Sequence, residues 1–508
     1  MQSVIGILAL CITSAILSYN SIDARAEASA KKYPLSLFGK AAKGAERPST
    51  PFSRSLAHYT MGVIYDNESK FEEAIKEYSA ALADAPDVAY IHTRLGVDYL
   101  LTKREEKARE EFVKAKALDP EDTKPRFLLA LVYTSSNNID LAQKEYEDIV
   151  RLNPDDLRAL GSLADIFVLQ ERMQEAAVIY ERLLEKEKRS SLLRFNLGVI
   201  YSRLNKIDRA IELLNEATLI DPNYLEAHVG LGVLYELKKD DRNAVAAFER
   251  SLALDPVNLK IYHILAQLYY RAGRLDDAVK QYELVTKLDQ KDARAYIEWA
   301  NLYLKEKRPQ DALVVLEKAL LDGAQSADIY LALGYTYSVA GDTKKALGCY
   351  TTALEIKPDD PRGHFSLGCV YERSAQRDAA IREFRAAIKF DQNFSEAYNY
   401  LGYMFAEAGE NLDEALELVK KALELDPDNG AYIDSLGWIY YRKGMIDEAF
   451  AAIERSVSLA PNDAVIRDHM GDIYFRKGMI EKALAEWQKS LEFDPKQDSV
   501  REKLKNAH

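Results

Sequence analysis

The stretch Ala327–Asp360, ADIYLALGYTYSVAGDTKKALGCYTTALEIKPDD, decides the fold, because its pattern returns every 34 residues along most of the chain. Tyr330, Leu333, Gly334 and Tyr337 fall at helical spacing. Gly341-Asp342 breaks that spacing, Ala346, Tyr350 and Ala353 resume it, and Pro358 ends it. The unit therefore reads helix, turn, helix, turn. Two helices this short cannot bury their apolar faces alone, so each pair must stack on the next, which is the logic of a solenoid.

With Ala327 counted as slot 1, slot 8 is Gly62, Gly96, Ala130, Ala164, Gly198, Gly232, Ala266, Ala300, Gly334, Gly368 and Gly402; after one inserted residue near Glu410–Asp413 it continues as Gly437 and Gly471. Slot 20, on the second helix, is alanine in every copy, from Ala74 and Ala108 to Ala449 and Ala483. Small residues on both helices of a pair let the two backbones approach closely, and a larger side chain there would overpack at a cost of roughly 1–3 kcal/mol. Slot 11 is always aromatic, from Tyr65 and Tyr99 through Phe167 and Phe405 to Tyr440 and Tyr474, and is expected to fill the gap beside the small pair. Nine of the fifteen prolines, Pro358 among them, stand just past a second helix, where a stop belongs.

This set of small, aromatic and proline slots resembles the tetratricopeptide repeat, in thirteen copies over residues 55 to 497. The resemblance implies an all-α, right-handed superhelical solenoid in which the first helix of each pair lines the concave side. It also implies a non-enzymatic scaffold or adaptor for protein or peptide partners, with a cytoplasmic assembly scaffold or an accessory subunit of an enzyme such as a protease or glycosyltransferase as the alternative.

Outward from the array, residues Val4–Leu17 are apolar and are followed by Ala24-Arg25-Ala26, a small-x-small pattern like a signal-peptidase site. Residues 1–26 thus read as an export signal or a retained N-terminal anchor, giving a periplasmic or envelope-associated protein, with a cytoplasmic scaffold as the alternative. Cys11 follows Leu10 rather than a small residue, which disfavours a lipid-modified cysteine. Residues 27–54 lack periodicity and read as a flexible linker. At the far end, 498–508 place Val500 and Leu504 four apart among charged residues, as a capping helix requires.

Composition excludes some functions. Residues 1–54 hold 7 Lys and Arg against 3 Asp and Glu, so with a chain total of −13 the remainder carries −17. An array this acidic disfavours nucleic acid, whose phosphates need a basic face. No catalytic, cofactor or metal motif is found. His58, His92, His228 and His364 share slot 4, which elsewhere holds Tyr262, Tyr296, Tyr330 and Tyr398, so they are expected to pack rather than ligate. Cys349 and Cys369 are expected to be buried thiols, with a disulfide as the alternative in an exported protein.

Candidate partner contacts follow from the inward slots. In the first half these are apolar, including Tyr59, Val63, Tyr90, Leu131, Phe195, Val199 and Val233. The second half interleaves Tyr335, Tyr403, Trp438, Tyr441 and Phe475 with Asp434, Asp468 and Asp472, a mixture suited to peptide recognition with Trp438 as anchor. Slot 13 carries a basic row, Arg203, Arg271, Lys305, Arg373, Arg442 and Arg476. It complements the helix dipole, worth roughly 0.3–1 kcal/mol per charge, and is also able to hold carboxylates of a bound peptide. Slot 5 holds no Lys or Arg, so the carboxylate clamp of chaperone-binding relatives is absent. Finally, Asp434-Ser435-Leu436-Gly437-Trp438, His469-Met470-Gly471-Asp472 and Trp487 make the last three repeats resemble those of bacterial cell-envelope tetratricopeptide proteins, many of them lipoproteins. Some of those proteins present substrates to carboxyl-terminal processing proteases, which implies an envelope protease as partner.

Overall fold

Residues 50–507 are described by the computed structural model; the export-signal reading of 1–26 and the linker reading up to residue 49 fall outside the described residues. The described residues form twenty-seven helices and no strand, and none of the helices is long and apolar enough to cross a membrane. The chain divides into two compact units at Ile261 and Tyr262. The first contains α1 (Pro51–Asn67), α2 (Phe71–Asp84), α3 (Ala89–Leu101), α4 (Glu105–Leu118), α5 (Thr123–Ser135), α6 (Ile139–Leu152), α7 (Leu157–Leu169), α8 (Met173–Lys186), α9 (Ser191–Arg203), α10 (Ile207–Ile220), α11 (Leu225–Leu237) and α12 (Asp241–Leu254). α13 (Leu259–Arg271) runs across the division, and the second unit continues with α14 (Leu275–Leu288), α15 (Ala293–Lys305), α16 (Pro309–Leu321), α17 (Ala327–Val339), α18 (Thr343–Ile356), α19 (Pro361–Arg373), α20 (Arg377–Phe390), α21 (Ser395–Ala408), α22 (Leu412–Leu425), α23 (Gly430–Arg442), α24 (Ile446–Leu459), α25 (Ala464–Arg476), α26 (Ile480–Phe493) and α27 (Asp498–Asn506).

Odd-numbered helices up to α25 are the first members of thirteen pairs, so each unit is an all-α stack of the expected repeats. First helices of neighbouring pairs pack on one another, as α3 does on α5 and α21 on α23. They form a layer of their own within each unit. The first helix begins at Pro51, four residues before Ser55, because Thr50 and Ser53 exchange side-chain and backbone hydrogen bonds of 3.2 Å around a proline placed at the helix start.

Every slot-20 alanine is fully enclosed, from Ala74 to Ala483, at 0% exposure. The ring over the slot-8 residue, however, comes from slot 24 and not from slot 11. A Cβ added to Gly334 would lie 2.6 Å from Cε1 of Tyr350, and Tyr78, Phe112, Phe248, Phe384 and Trp487 cover their own glycines in the same way. The slot-11 ring faces elsewhere: Tyr337 donates to Glu317 of the preceding second helix at 2.7 Å, and the Lys345 ammonium sits 4.9 Å from its centroid. One turn past the buried alanine, slot 24 points across the pair, whereas slot 11 points back along the stack.

Turns within the pairs share one device. Slot 15 has a positive φ in every repeat, at Gly341 (85°) and Gly409 (69°) but also at Glu171 (59°), Lys307 (58°) and Ala375 (57°). In the Ala327–Asp360 unit, Gly341 N–H donates to Ser338 O at 3.2 Å and Asp342 N–H to Tyr337 O at 2.9 Å, closing the first helix in a Schellman motif. The inserted residue is absorbed here too, since Asn411 adds a second left-handed residue (52°) after Gly409.

Candidate partner-binding surface

At the C-terminal end of the second unit, four first-position helices follow one another: α21, α23, α25 and α27, the last standing where a fourteenth first helix would stand. A slot-6 residue from each of the last two reaches back to the helix before it. His469 of α25 places Nδ1 2.9 Å from Asp434 Oδ2 and stacks on the Trp438 indole, with centroids 4.1 Å apart and planes 12° from parallel. Lys503 of α27 donates to Asp468 at 2.8 and 2.9 Å and to Asp472 at 2.7 Å. Trp438 continues the chain of contacts through its Nε1, which donates to Glu407 of α21 at 2.5 Å, and Trp487 Nε1 donates to Asp472 at 3.1 Å.

The charges are arranged to hold one another. Burial alone would lower the pKa of His469, but the Asp434 carboxylate beside it and those of Asp468 and Asp472 nearby raise it above the usual histidine value. Burial opposes the charge of Lys503 too, and Asp472 and Asp468 overcome it, so its pKa is raised. Asp472 is raised by its burial, with Lys503 pulling the other way and Asp468 adding to the rise.

The sequence-predicted site residues therefore separate into two groups. Asp434 and Trp438 are buried, and the indole belongs to a cluster with Leu401, Phe405, Val419 and Ile439. Tyr403, Tyr441, Asp468 and Asp472 are half-buried. On the open face stand Phe475 (45% exposed), Arg442 and Arg476, while Tyr335 (57%) is exposed on α17, away from this group in the chain. The carboxylates expected to meet a partner already hold His469 and Lys503, and Trp438 lies beneath the surface instead of projecting as an anchor. Sequence reasoning missed Glu407 and the pairing role of His469 and Lys503. The signal was present in the spacing, because His469 and Lys503 lie 34 apart and the repeat register runs on into α27.

In the first unit Phe195 and Val199 are buried within the core, whereas Tyr90 and Leu131 are exposed. Of the basic row, Arg442 donates to the Glu407 carbonyl at 2.7 Å, near the end of the preceding first helix. His92 uses both ring nitrogens, on Glu111 at 2.5 Å and the Pro86 carbonyl at 2.8 Å, and His364 does the same with Glu383 and Pro358. These histidines tie a second helix to the preceding turn. Cys349 and Cys369 are free thiols, half-buried where full burial was expected, and burial pushes Cys369 up to about 11.

Tetratricopeptide-repeat models match residues 167–234, 238–297 and 303–367, and again 59–123, 127–191, 365–430 and 411–464. The chain belongs to the tetratricopeptide-repeat family. It is 30% identical over 118 residues to a TPR repeat-containing protein of Pseudomonas aeruginosa, a match covering 23% of this chain and 20% of that one. Over 90 residues it is 32% identical to the small glutamine-rich tetratricopeptide repeat-containing protein 2 of Mycosarcoma maydis, covering 18% and 25%. The matches thus span a fifth to a quarter of the length of these relatives. Among solved structures, the APC/C hetero-tetramer Cut9-Hcn1 aligns with 89% of this chain and 96% of its own at 15% identity and a TM-score of 0.43. Yeast Tom70 aligns with 89% and 94% at 17% identity and a TM-score of 0.39.

Proposed function

We propose that this chain is a non-enzymatic scaffold that holds a protein or peptide partner on its first-helix layer, with Tyr441, Arg442, Phe475 and Arg476 at the centre of the contact. One observation carries this reading. α23 and α25 end in the same aromatic-arginine pair, Tyr441-Arg442 and Phe475-Arg476, one repeat apart, with Arg442, Phe475 and Arg476 exposed and the Arg442 guanidinium steadied by the Glu407 carbonyl. Aromatic and arginine side chains bind strongly where they sit on a rigid support, and guanidinium pairs well with carboxylate. The partner segment this face fits is extended, with apolar side chains and carboxylates. Tyr335 and Tyr403 would extend the contact along the same layer.

Location forms the second part of the proposal. The apolar Val4–Leu17 stretch before Ala24-Arg25-Ala26 supports export, to the periplasm or the envelope, with membrane association if the segment is retained. The likeness of the last three repeats to envelope proteins supports an envelope protease as the partner.

A photo-crosslinking residue placed at Phe475, and as a control at the exposed Val314 of α16, tests the surface in the native cell. A partner crosslinked from Phe475 and not from Val314 is expected, and equal yield from both would overturn the assignment. Intact Met1–Ala26 on protein recovered from the cytoplasmic fraction would overturn export.

A further inference from the structure

Slot 10 of the first helix is apolar in eleven of the thirteen repeats, Val132, Ile166, Ile200, Leu234, Val370 and Ile439 among them, and is a buried threonine, Thr336, in one more. In the second repeat it is Asp98, which is 1% exposed. A carboxyl at a position built for a branched apolar side chain is costly unless its polar atoms are met, and an unpaired buried carboxylate is costlier still.

Facing it from α1 is Asp66. The Oδ2 atom of Asp66 accepts from the Tyr78 hydroxyl of α2 at 2.6 Å and lies 2.9 Å from the Arg94 guanidinium of α3. Its other oxygen, Oδ1, is buried with no donor, and Oδ2 of Asp98 is likewise buried with none. These two orphaned acceptors belong to carboxyls that are hydrogen-bonding neighbours. Two carboxylates cannot satisfy each other, whereas a carboxylic acid and a carboxylate can, through one shared proton. The surroundings count the same way. The charged groups facing Asp98 are Asp66 of α1 and Arg94 of its own helix, with the Tyr78 hydroxyl of α2 completing the cluster; one carboxylate against one guanidinium is balanced, and two are not.

We propose that Asp66 and Asp98 share one proton and so form a clasp between the first and second repeats, closed in mild acid and progressively loosened as pH rises. Burial and the Asp66 carboxylate push Asp98 up to about 8, which agrees with the geometry. The sign follows from proton linkage. Between the ordinary aspartate range of about 4 and the raised value, the closed clasp keeps a proton that the opened one releases, so opening becomes easier by about tenfold per pH unit and then levels off. His92 of α3, also raised against its burial by Glu111 and the Pro86 carbonyl, adds opening of the same sign, so the share of Asp98 must be isolated by substitution.

The test is hydrogen exchange on the full chain, expressed as protection relative to intrinsic exchange rates, from mildly acidic to mildly alkaline pH. In the wild type, protection of α1–α3 should fall with pH while that of α10–α12 changes less. Asp98→Asn keeps a donor for Asp66 without a titrating proton, and should flatten the α1–α3 slope by up to tenfold per pH unit. A carbon-13 NMR titration of the Asp98 carboxyl checks the proton independently of stability. A mutant slope equal to the wild type's, or an Asp98 carboxyl titrating in the ordinary aspartate range, would overturn the clasp.

Discussion

The His469 imidazole lies flat on the Trp438 indole, 4.1 Å between centroids, while its Nδ1 faces Asp434 on the same helix as that indole. Two adjacent repeats are thereby joined by a stack and an ion pair at once. Trp438→Ala should remove the platform for His469, leave Glu407 without its indole donor and open a cavity in the core of α21 and α23. Substitutions of this kind cost about 3–5 kcal/mol. Because repeats couple mainly to their neighbours, hydrogen exchange should rise from α21 to α25 and remain unchanged before α17. Unaltered protection throughout would show that the indole is not structural.

The same pair gives the C-terminal repeats a pH dependence. The pKa of His469 is raised in the folded chain, so its contribution to stability is complete below the unfolded value of about 6.5 and is lost as pH rises through the higher folded value. His263 acts with the same sign, because Glu298 and Asp292 overcome its burial. Thermal denaturation followed from about pH 6 to about pH 9 should show a falling melting temperature for the wild type and a shallower fall for His469→Gln. A steeper fall in the variant would contradict the assignment.

Most of the fold was legible because the repeat writes the same instruction thirteen times. A single Gly334 says little, whereas a column of glycine and alanine opposite a column of alanine fixes which faces meet. What remained hidden lies where one repeat departs from the column. Asp98 replaces an apolar side chain, and Lys503 continues the register past the last pair, and both act through a neighbour that is distant in sequence. The site was harder to read than the fold for the same reason. Asp434, Asp468 and Asp472 look free along the chain, and only the stacking of α23, α25 and α27 brings His469 and Lys503 to them.

Ala375 occupies slot 15 with φ of 57°, a conformation that glycine adopts without the Cβ clash. Its side chain is a single exposed methyl, so replacing it changes little else. Ala375→Gly should stabilise the turn between α19 and α20 by about 0.5–1 kcal/mol, the relief of left-handed strain being partly offset by the greater freedom of glycine in the unfolded chain. Slower hydrogen exchange at the end of α19 is the expected reading. Faster exchange there would mean that the turn draws stability from the methyl group.

Gly334 and Tyr350 test how far damage travels. With a Cβ at Gly334 only 2.6 Å from the Tyr350 ring, even alanine requires the ring to yield by several tenths of an ångström. Other repeats show that such a shift can be made, since Ala130 and Ala164 occupy the same slot with Tyr146 and Tyr180 at the ring position. Gly334→Ala should therefore cost about 1 kcal/mol, while Gly334→Leu should overpack by about 1–3 kcal/mol beyond that and separate α17 from α18. Ala346→Leu, on the facing helix, should act in the same way, because Ala346 is fully enclosed. In an array stabilised by nearest-neighbour contacts, loss of exchange protection should centre on residues 300–390 and fade on either side. Uniform loss across all thirteen repeats would instead mean that the array unfolds as one cooperative body, and that each interface is strong enough to carry the strain to the next.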